Sequence, residues 1–328
     1  MLEAKATMAG TPRVSLPGVD TGTPMRDPEA AAGYQQRGVE FDGGGDYDRA
    51  IAAYNEAMRL DPGDSGTYCL RANTYYRKGD YELAIADYTT AIRLNPKMTG
   101  AYINRGNVYS NIEHDEDKAI ADFTEAIRIH PHDPRTYNNR GLSYKNKGDY
   151  RKAIEDFNDA VEFDPLFATA YLNRGDSWRA VEEYDKAIAD YNEAITLDAE
   201  FVPAYDGRGS AREKKGDYRK AVADYKKAVA LNSAVSCNAL AWLLATCPDA
   251  TVRNGAKAVE YAKKTCDLTA WKAPESIDTL AAAYAEKGDF EQAVKFQSWY
   301  LTMKPDNEEA AARLALYKKH QAYHEAKK

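Results

Sequence analysis

The chain has 328 residues, is 44% hydrophobic and 29% charged, and carries a formal net charge of -7, with 44 Lys+Arg against 51 Asp+Glu. This balance supports a folded protein and argues against a general nucleic-acid backbone binder, which needs an excess of positive charge. No run approaches the roughly 20 apolar residues required to span a bilayer, so direct membrane insertion is not expected.

Residues 1–30 hold several Gly, Pro, Thr and Asp residues without an apolar period, and are expected to form a disordered leader or an added extension. Residues 1–12 lack a basic segment followed by an apolar core, so no signal peptide is read there. Cytoplasm is the default location, an upstream targeting segment lost from the sequence being the alternative.

From about Ala31 the chain repeats itself at a period of about 34 residues. In the first unit Tyr34, Gly38 and Phe41 mark one helix, Gly45-Asp46-Tyr47 a turn, Ala50, Tyr54 and Ala57 a second helix, and Asp61-Pro62 its end. The second unit, 65–98, has Ala72 in place of the first-helix Gly. The third, 99–133, keeps Tyr102, Gly106, Tyr109, Ala119, Phe123 and Ala126, but its turn, Asn111–Glu116, is one residue longer and lacks the Gly-Asp pair. A changed helix-pair angle is expected there. The fourth unit is the clearest: Tyr137, Gly141 and Tyr144, then Gly148-Asp149, then Ala153, Phe157 and Ala160, stopped by Pro165. The fifth, 168–201, turns through Glu182-Glu183-Tyr184, and the sixth, 202–235, replaces the first-helix aromatic by Arg212.

Residues 236–274 read as a divergent helix pair interrupted at Thr246-Cys247-Pro248-Asp249. Residues 275–308 return to the pattern with Leu280, Tyr284, Gly288-Asp289-Phe290, Ala293, Phe296 and Trp299. Asn307 to Lys319 is expected to cap the array through Ala311, Leu314 and Ala315, leaving 309–328 as capping helix and tail.

These units resemble the tetratricopeptide-repeat (TPR) family, most specifically in Tyr137-x2-Arg140-Gly141-x2-Tyr144 followed by Gly148-Asp149-Tyr150-x2-Ala153-x3-Phe157-x2-Ala160 and Pro165. The resemblance implies an all-α solenoid of antiparallel helix pairs, wound as a right-handed superhelix whose first helices line a concave groove. It implies a non-catalytic scaffold for a protein or peptide partner, with no cofactor. Carrying the family's groove positions onto this sequence points to Asn73, Tyr76, Asn104, Asn107, Asn138, Asn139, Lys145, Asn173, Asp176 and Arg179 as peptide-binding residues. Amides both donate and accept hydrogen bonds, so a ladder of them can hold an extended backbone without demanding one sequence. Where the family often has Leu, this chain has Arg37, Arg71, Arg105, Arg140, Arg174 and Arg208. Arg71, Arg105, Arg140 and Arg174 are expected to bond a neighbouring repeat's carboxylate or helix-end carbonyl, with capture of an acidic or phosphorylated ligand second. Cys69 and Ile103 stand where a carboxylate-clamping Lys would be expected.

The alternative function is a self-assembly module forming a homo-oligomer through repeat ends, and a third reading is an enzyme-associated array whose catalytic domain is missing from this sequence or belongs to another chain. His130 with His132, or His320 with His324 on one helix face, could supply two metal ligands each, but no third accompanies them, so no metal is expected. Cys69, Cys237, Cys247 and Cys266 form no CxxC pair and read as reduced thiols. The usual nucleotide-loop and metalloprotease motifs are not found.

Overall fold

The computed structural model describes residues 26–326; the expected leader lies, for residues 1–25, outside them. Among the described residues there are 17 α-helices and no strand, the all-α helical-repeat solenoid expected. The helices fall into two compact units, divided after Ala101. The first unit contains α1 (Pro28–Gly43), α2 (Tyr47–Leu60), α3 (Ser65–Lys78) and α4 (Tyr81–Leu94). Helix α5 (Thr99–Val108) crosses the division. The second unit continues with α6 (Glu116–Ile129), α7 (Pro134–Asn146), α8 (Tyr150–Phe163), α9 (Ala168–Ala180), α10 (Tyr184–Leu197), α11 (Val202–Lys214) and α12 (Tyr218–Ala230). It closes with α13 (Ala234–Thr246), α14 (Gly255–Leu268), α15 (Pro274–Lys287), α16 (Phe290–Met303) and α17 (Glu308–Lys318).

The first helix begins inside the stretch assigned to the leader. Asp27 caps it by accepting from the Ala30 backbone N–H at 3.0 Å, Pro28 occupies a position where no N–H is needed, and Arg26 Nε donates to Asp61 Oδ1 at 2.7 Å. Asp27-Pro28 is a helix-start signal that composition alone had hidden.

Outside the α13–α14 pair, where Asn254 caps the second helix, each pair is joined by a left-handed residue followed by an acidic N-cap residue. Gly148 has φ 78°, and Asp149 then accepts from the Lys152 backbone N–H that opens α8. Glu182 takes the same left-handed conformation, φ 62°, in the unit lacking Gly. In the third unit the extra residue is absorbed as a π-helical turn, Tyr109–Glu113, ending at His114 with φ 53°. A single inserted residue in a helix is accommodated by such a wider turn.

The core of each pair is a ring against a missing side chain. Phe157 is fully buried, and a Cβ placed on Gly141 would come within 2.8 Å of its ring. Gly106 and Phe123 repeat the arrangement at the same distance. Ala50, Ala84, Ala119, Ala153, Ala187 and Ala221 are all wholly buried, which lets the two helix backbones close together.

The C-terminal third has the largest continuous core, built on Leu240, Leu244, Ile277, Leu280 and Tyr317. The capping face of α17 differs from expectation: Ala310, Arg313 and Tyr317 are buried, whereas Ala311 and Ala315 are exposed and Leu314 is half-buried. Arg313 is admitted to this interface because Asp278 of α15 accepts from its Nη2 at 2.7 Å. His320 and His324 share no helix face, since α17 ends at Lys318 and the chain beyond it is not helical.

Candidate functional site: the face of the first helices

The arginines are structural, but not in the way their spacing suggested. Arg71, Arg105, Arg140, Arg174 and Arg208 each make a two-pronged ion pair with an aspartate of the second helix in the same unit: Asp87, Asp122, Asp156, Asp190 and Asp224. The closer contacts in all five are 2.7 Å. The neighbouring repeat contributes a neutral side-chain oxygen instead of the expected carboxylate or helix-end carbonyl. Arg140 Nη1 donates to Thr124 Oγ1 at 3.1 Å, Arg174 Nη1 to Asn158 Oδ1 at 2.9 Å and Arg208 Nη1 to Asn192 Oδ1 at 2.6 Å. Each guanidinium also lies over the tyrosine three residues earlier, Tyr137 for Arg140 at 5.8 Å. Burial pushes the Asp156 and Asp190 carboxyls up, and the guanidinium forks oppose that. These arginines are therefore committed to holding helix pairs and units in register.

In the first unit, Asn73 of α3 accepts from the buried Tyr88 hydroxyl at 2.6 Å. Tyr76, one turn on, is exposed, with its ring edge-on to Tyr81 at 5.7 Å.

In the second unit the proposed residues divide. Asn138 and Asn173 are 5% and 7% exposed, and Asn173 Nδ2 donates to Asn138 Oδ1 at 2.9 Å. They are sealed between α7 and α9, so the structure removes these two from the set able to touch a ligand. Asn104, Asn107 and Asn139 are half-buried, and Asn139 Nδ2 donates to Asn107 Oδ1 at 3.1 Å. Lys145 Nζ lies 3.1 Å from Asp176. Asp176 also accepts from the Tyr191 hydroxyl at 2.8 Å, while Arg179 Nε donates to that hydroxyl oxygen at 3.3 Å. Burial, with Asp176 adding to it, pushes the Tyr191 phenol up, so it remains a neutral donor.

Two of these amides open into a cleft of about 240 Å³, lined by Asn107, Asn111, Asn139, Leu142 and Asn146 with Phe123 beneath. Asn111 lies in the π-helical turn, which places a further amide at this spot. Sequence spacing had missed Asn111 and Asn146; the inserted residue and the run of amides near helix ends were the available signals. Two larger clefts, of about 400 and 410 Å³, lie away from these residues. One involves Arg219, Lys226, Arg253 and Lys257, with Arg253 already paired to Glu286 at 3.1 Å.

The first-helix position just after the small residue is Asn73, Asn107 and Asp176 in three units, and Trp242, after Ala241, in the divergent pair. Trp242 Nε1 donates to Glu325 of the C-terminal segment at 2.8 Å.

Sequence profiles described as TPR repeat match residues 44–79 and 72–112, and profiles described as tetratricopeptide repeat match 134–166, 168–201 and 202–235. No curated protein matches the chain. Among solved structures, it resembles a tetratricopeptide repeat protein from Parabacteroides merdae at 18% identity and a TM-score of 0.55, covering 88% of this chain and 99% of that one. It also resembles Pseudomonas aeruginosa pilF, at 18% identity and a TM-score of 0.53 over 61% of this chain and 90% of that one. YrrB, described as a TPR protein with an unusual peptide-binding site, matches at 21% identity and a TM-score of 0.50 over 57% of this chain and 97% of that one. These likenesses agree on the fold, and the profiles match 44–112, 134–166 and 168–235, together more than half of the chain: the chain belongs to the tetratricopeptide-repeat family.

Proposed function

We propose that the chain is a non-catalytic interaction scaffold that binds an extended peptide or a partner helix along the face of its first helices. The supporting observation is the amide cleft. Asn107, Asn111, Asn139 and Asn146 line one recess over Phe123, and beyond the bonds from Asn139 to Asn107 and from Asn146 to Glu116 each amide retains donor and acceptor capacity. An extended peptide presents alternating N–H and C=O groups, which such a set can satisfy irrespective of sequence. Lys145, Asp176 and Arg179 would add charge selectivity further along the second unit, with Asn104 on α5 about one turn before Asn107. Asn73 and Tyr76 are the corresponding residues of the first unit. A cytoplasmic location belongs to the same reading, supported by four free thiols. YrrB has the same fold and, by its description, a peptide-binding site, so the architecture is compatible with this use.

Screening of the purified chain against a peptide array, followed by titration of the best peptide, tests the reading. The double substitution Asn107→Ala and Asn139→Ala should weaken binding by about ten-fold or more, corresponding to roughly 1.4 kcal/mol or more. Unchanged affinity in a folded double variant would remove the cleft from the binding site.

A further inference from the structure

The C-terminal segment after α17 does not run into solvent. It turns at His320, φ 58°, whose ring stacks on Phe290 at 5.2 Å, and then continues without regular secondary structure against α13 and α15. The Glu325 backbone N–H donates to the Thr246 carbonyl at the end of α13, at 2.8 Å. Its carboxylate accepts from the Trp242 indole N–H at 2.8 Å. Tyr323 packs against the Trp242 ring at 6.2 Å, with the Arg313 guanidinium over both rings at 5.4 and 5.7 Å. His324 Nε2 lies 2.7 Å from a Glu286 carboxylate oxygen on α15. Within six residues the segment uses a backbone N–H, an aromatic anchor, a carboxylate and an imidazole.

These are the contacts an extended peptide makes with a first-helix face: main-chain hydrogen bonding for affinity, side chains for selection. The register supports the comparison, because Trp242 occupies the position that Asn73, Asn107 and Asp176 hold in their own units. Glu286, five residues beyond the small Ala281, matches Thr246, five beyond Ala241, so the segment crosses the same turn of consecutive first helices.

We propose that residues 320–326 are a resident peptide ligand, held in cis on a recognition face formed by Trp242, Thr246, Glu286 and Arg313. That face selects an extended segment with an aromatic residue two positions before a carboxylate. While the segment is bound, it closes these C-terminal units to an outside peptide. The inference shares with the proposed function the idea that first helices form the recognition face, but it uses different units and residues, so either can fail alone.

The test uses a chain ending at Lys319, which retains all of α17, and a fluorescein-labelled peptide with the sequence of residues 320–328, followed by fluorescence anisotropy. The shortened chain should bind the peptide saturably. The full chain should bind at least about ten-fold more weakly, because only its fraction with the segment released is competent. Trp242→Ala in the shortened chain should abolish binding, whereas Asn107→Ala should leave it unchanged. If the shortened chain fails to fold, full-length Tyr323→Ala/Glu325→Ala keeps the backbone intact, and it should take up the labelled peptide where the parent does not. The proposal is overturned if the folded shortened chain, or failing that the double variant, binds no peptide. Equal binding by parent and altered chains would overturn it too.

Discussion

Replacing Arg140 with Met tests what the arginine series does. The change keeps an apolar stem over Tyr137 while removing the fork that holds Asp156, a residue only 3% exposed. It also removes the donor to Thr124 in the preceding unit. Leaving one member of a buried pair without its partner costs about 3–5 kcal/mol, and this should dominate over the lost hydrogen bond, worth about 1 kcal/mol. The double variant Arg140→Met/Asp156→Leu removes both charges and should recover most of the loss, since an apolar replacement of such a pair is often close to neutral. Urea unfolding followed by far-UV circular dichroism gives the free energies, and hydrogen exchange at α7 and α8 locates the damage. The pH dependence carries a sign. Burial already raises the Asp156 carboxyl in the native state, and losing Arg140 raises it further, so the folded variant binds more protons than its unfolded chain. Its deficit should therefore narrow as pH falls from 7 towards about 4, the unfolded carboxylate range. A loss of less than about 1 kcal/mol in the single variant, or a double variant no better than the single one, would refute the buried-pair reasoning.

Other consequences follow from close packing and burial. In Gly255→Ala the new Cβ would lie 2.4 Å from the Lys287 backbone nitrogen and 2.6 Å from the Glu286 carbonyl carbon, atoms that cannot rotate away. Thermal unfolding should show a loss of about 1–3 kcal/mol. Gly33→Ala, in α1 with nothing within 4 Å of its Cβ, should instead gain about 0.5–1 kcal/mol from the better helix former. Burial pushes the Cys69 and Cys266 thiols up to about 11, so at pH 8 their reaction with an aromatic disulfide reagent should be about 100-fold slower than that of the unfolded chain. Burial also raises the Tyr191, Tyr225 and Tyr317 phenols, so each holds its proton in the folded chain above the pH at which the unfolded chain loses it. Stability should be constant with respect to these groups below about pH 10 and fall above it, measurable as a decline in urea midpoint.

The helix pairs were legible because they rest on local chemistry. Gly141 and Phe157 announce a close approach, Gly148-Asp149 a left-handed turn and a cap, and the same signals return unit after unit. The arginine partners were visible too, as an aspartate immediately before each buried ring at Asp87-Tyr88, Asp122-Phe123, Asp156-Phe157, Asp190-Tyr191 and Asp224-Tyr225. Apolar periodicity passes over such residues, because a polar side chain looks solvent-facing until its partner is known. Asn138 and Asn139 show the finer difficulty. One residue is about 100° around a helix, enough to place Asn138 in the contact with Asn173 and Asn139 beside the cleft. Recurrence of Asn could not separate them. The contact between Trp242 and Glu325 spans 83 residues and depends on a carboxylate meeting an indole, which no local pattern specifies.

The division of labour along a first helix then has a physical cause. In five repeats the residue before the small position is an arginine committed to its own repeat's second helix, and the positions two and three before the small residue reach the adjacent first helix, as Asn173 and Asn138 do. The positions one and four after it lie on one face, a single turn apart, and hold Asn73 with Tyr76, and Asp176 with Arg179. Selectivity can therefore change on that face without touching the arginine forks or the small-residue contacts, although Lys145 and Asp176 on it also pair between neighbouring repeats. The chain uses this freedom in two ways. It places an amide at Asn107, which meets an open cleft beside Asn139 of the adjacent first helix, and an indole at Trp242 where its own C-terminal segment docks. An indole exposed on a helix face is a costly apolar surface, and Tyr323 and Ala322 pack against the core that Trp242 adjoins. Coverage of the aromatic section and openness of the amide section are thus two outcomes of one register position, set by how much each side chain gains from leaving water.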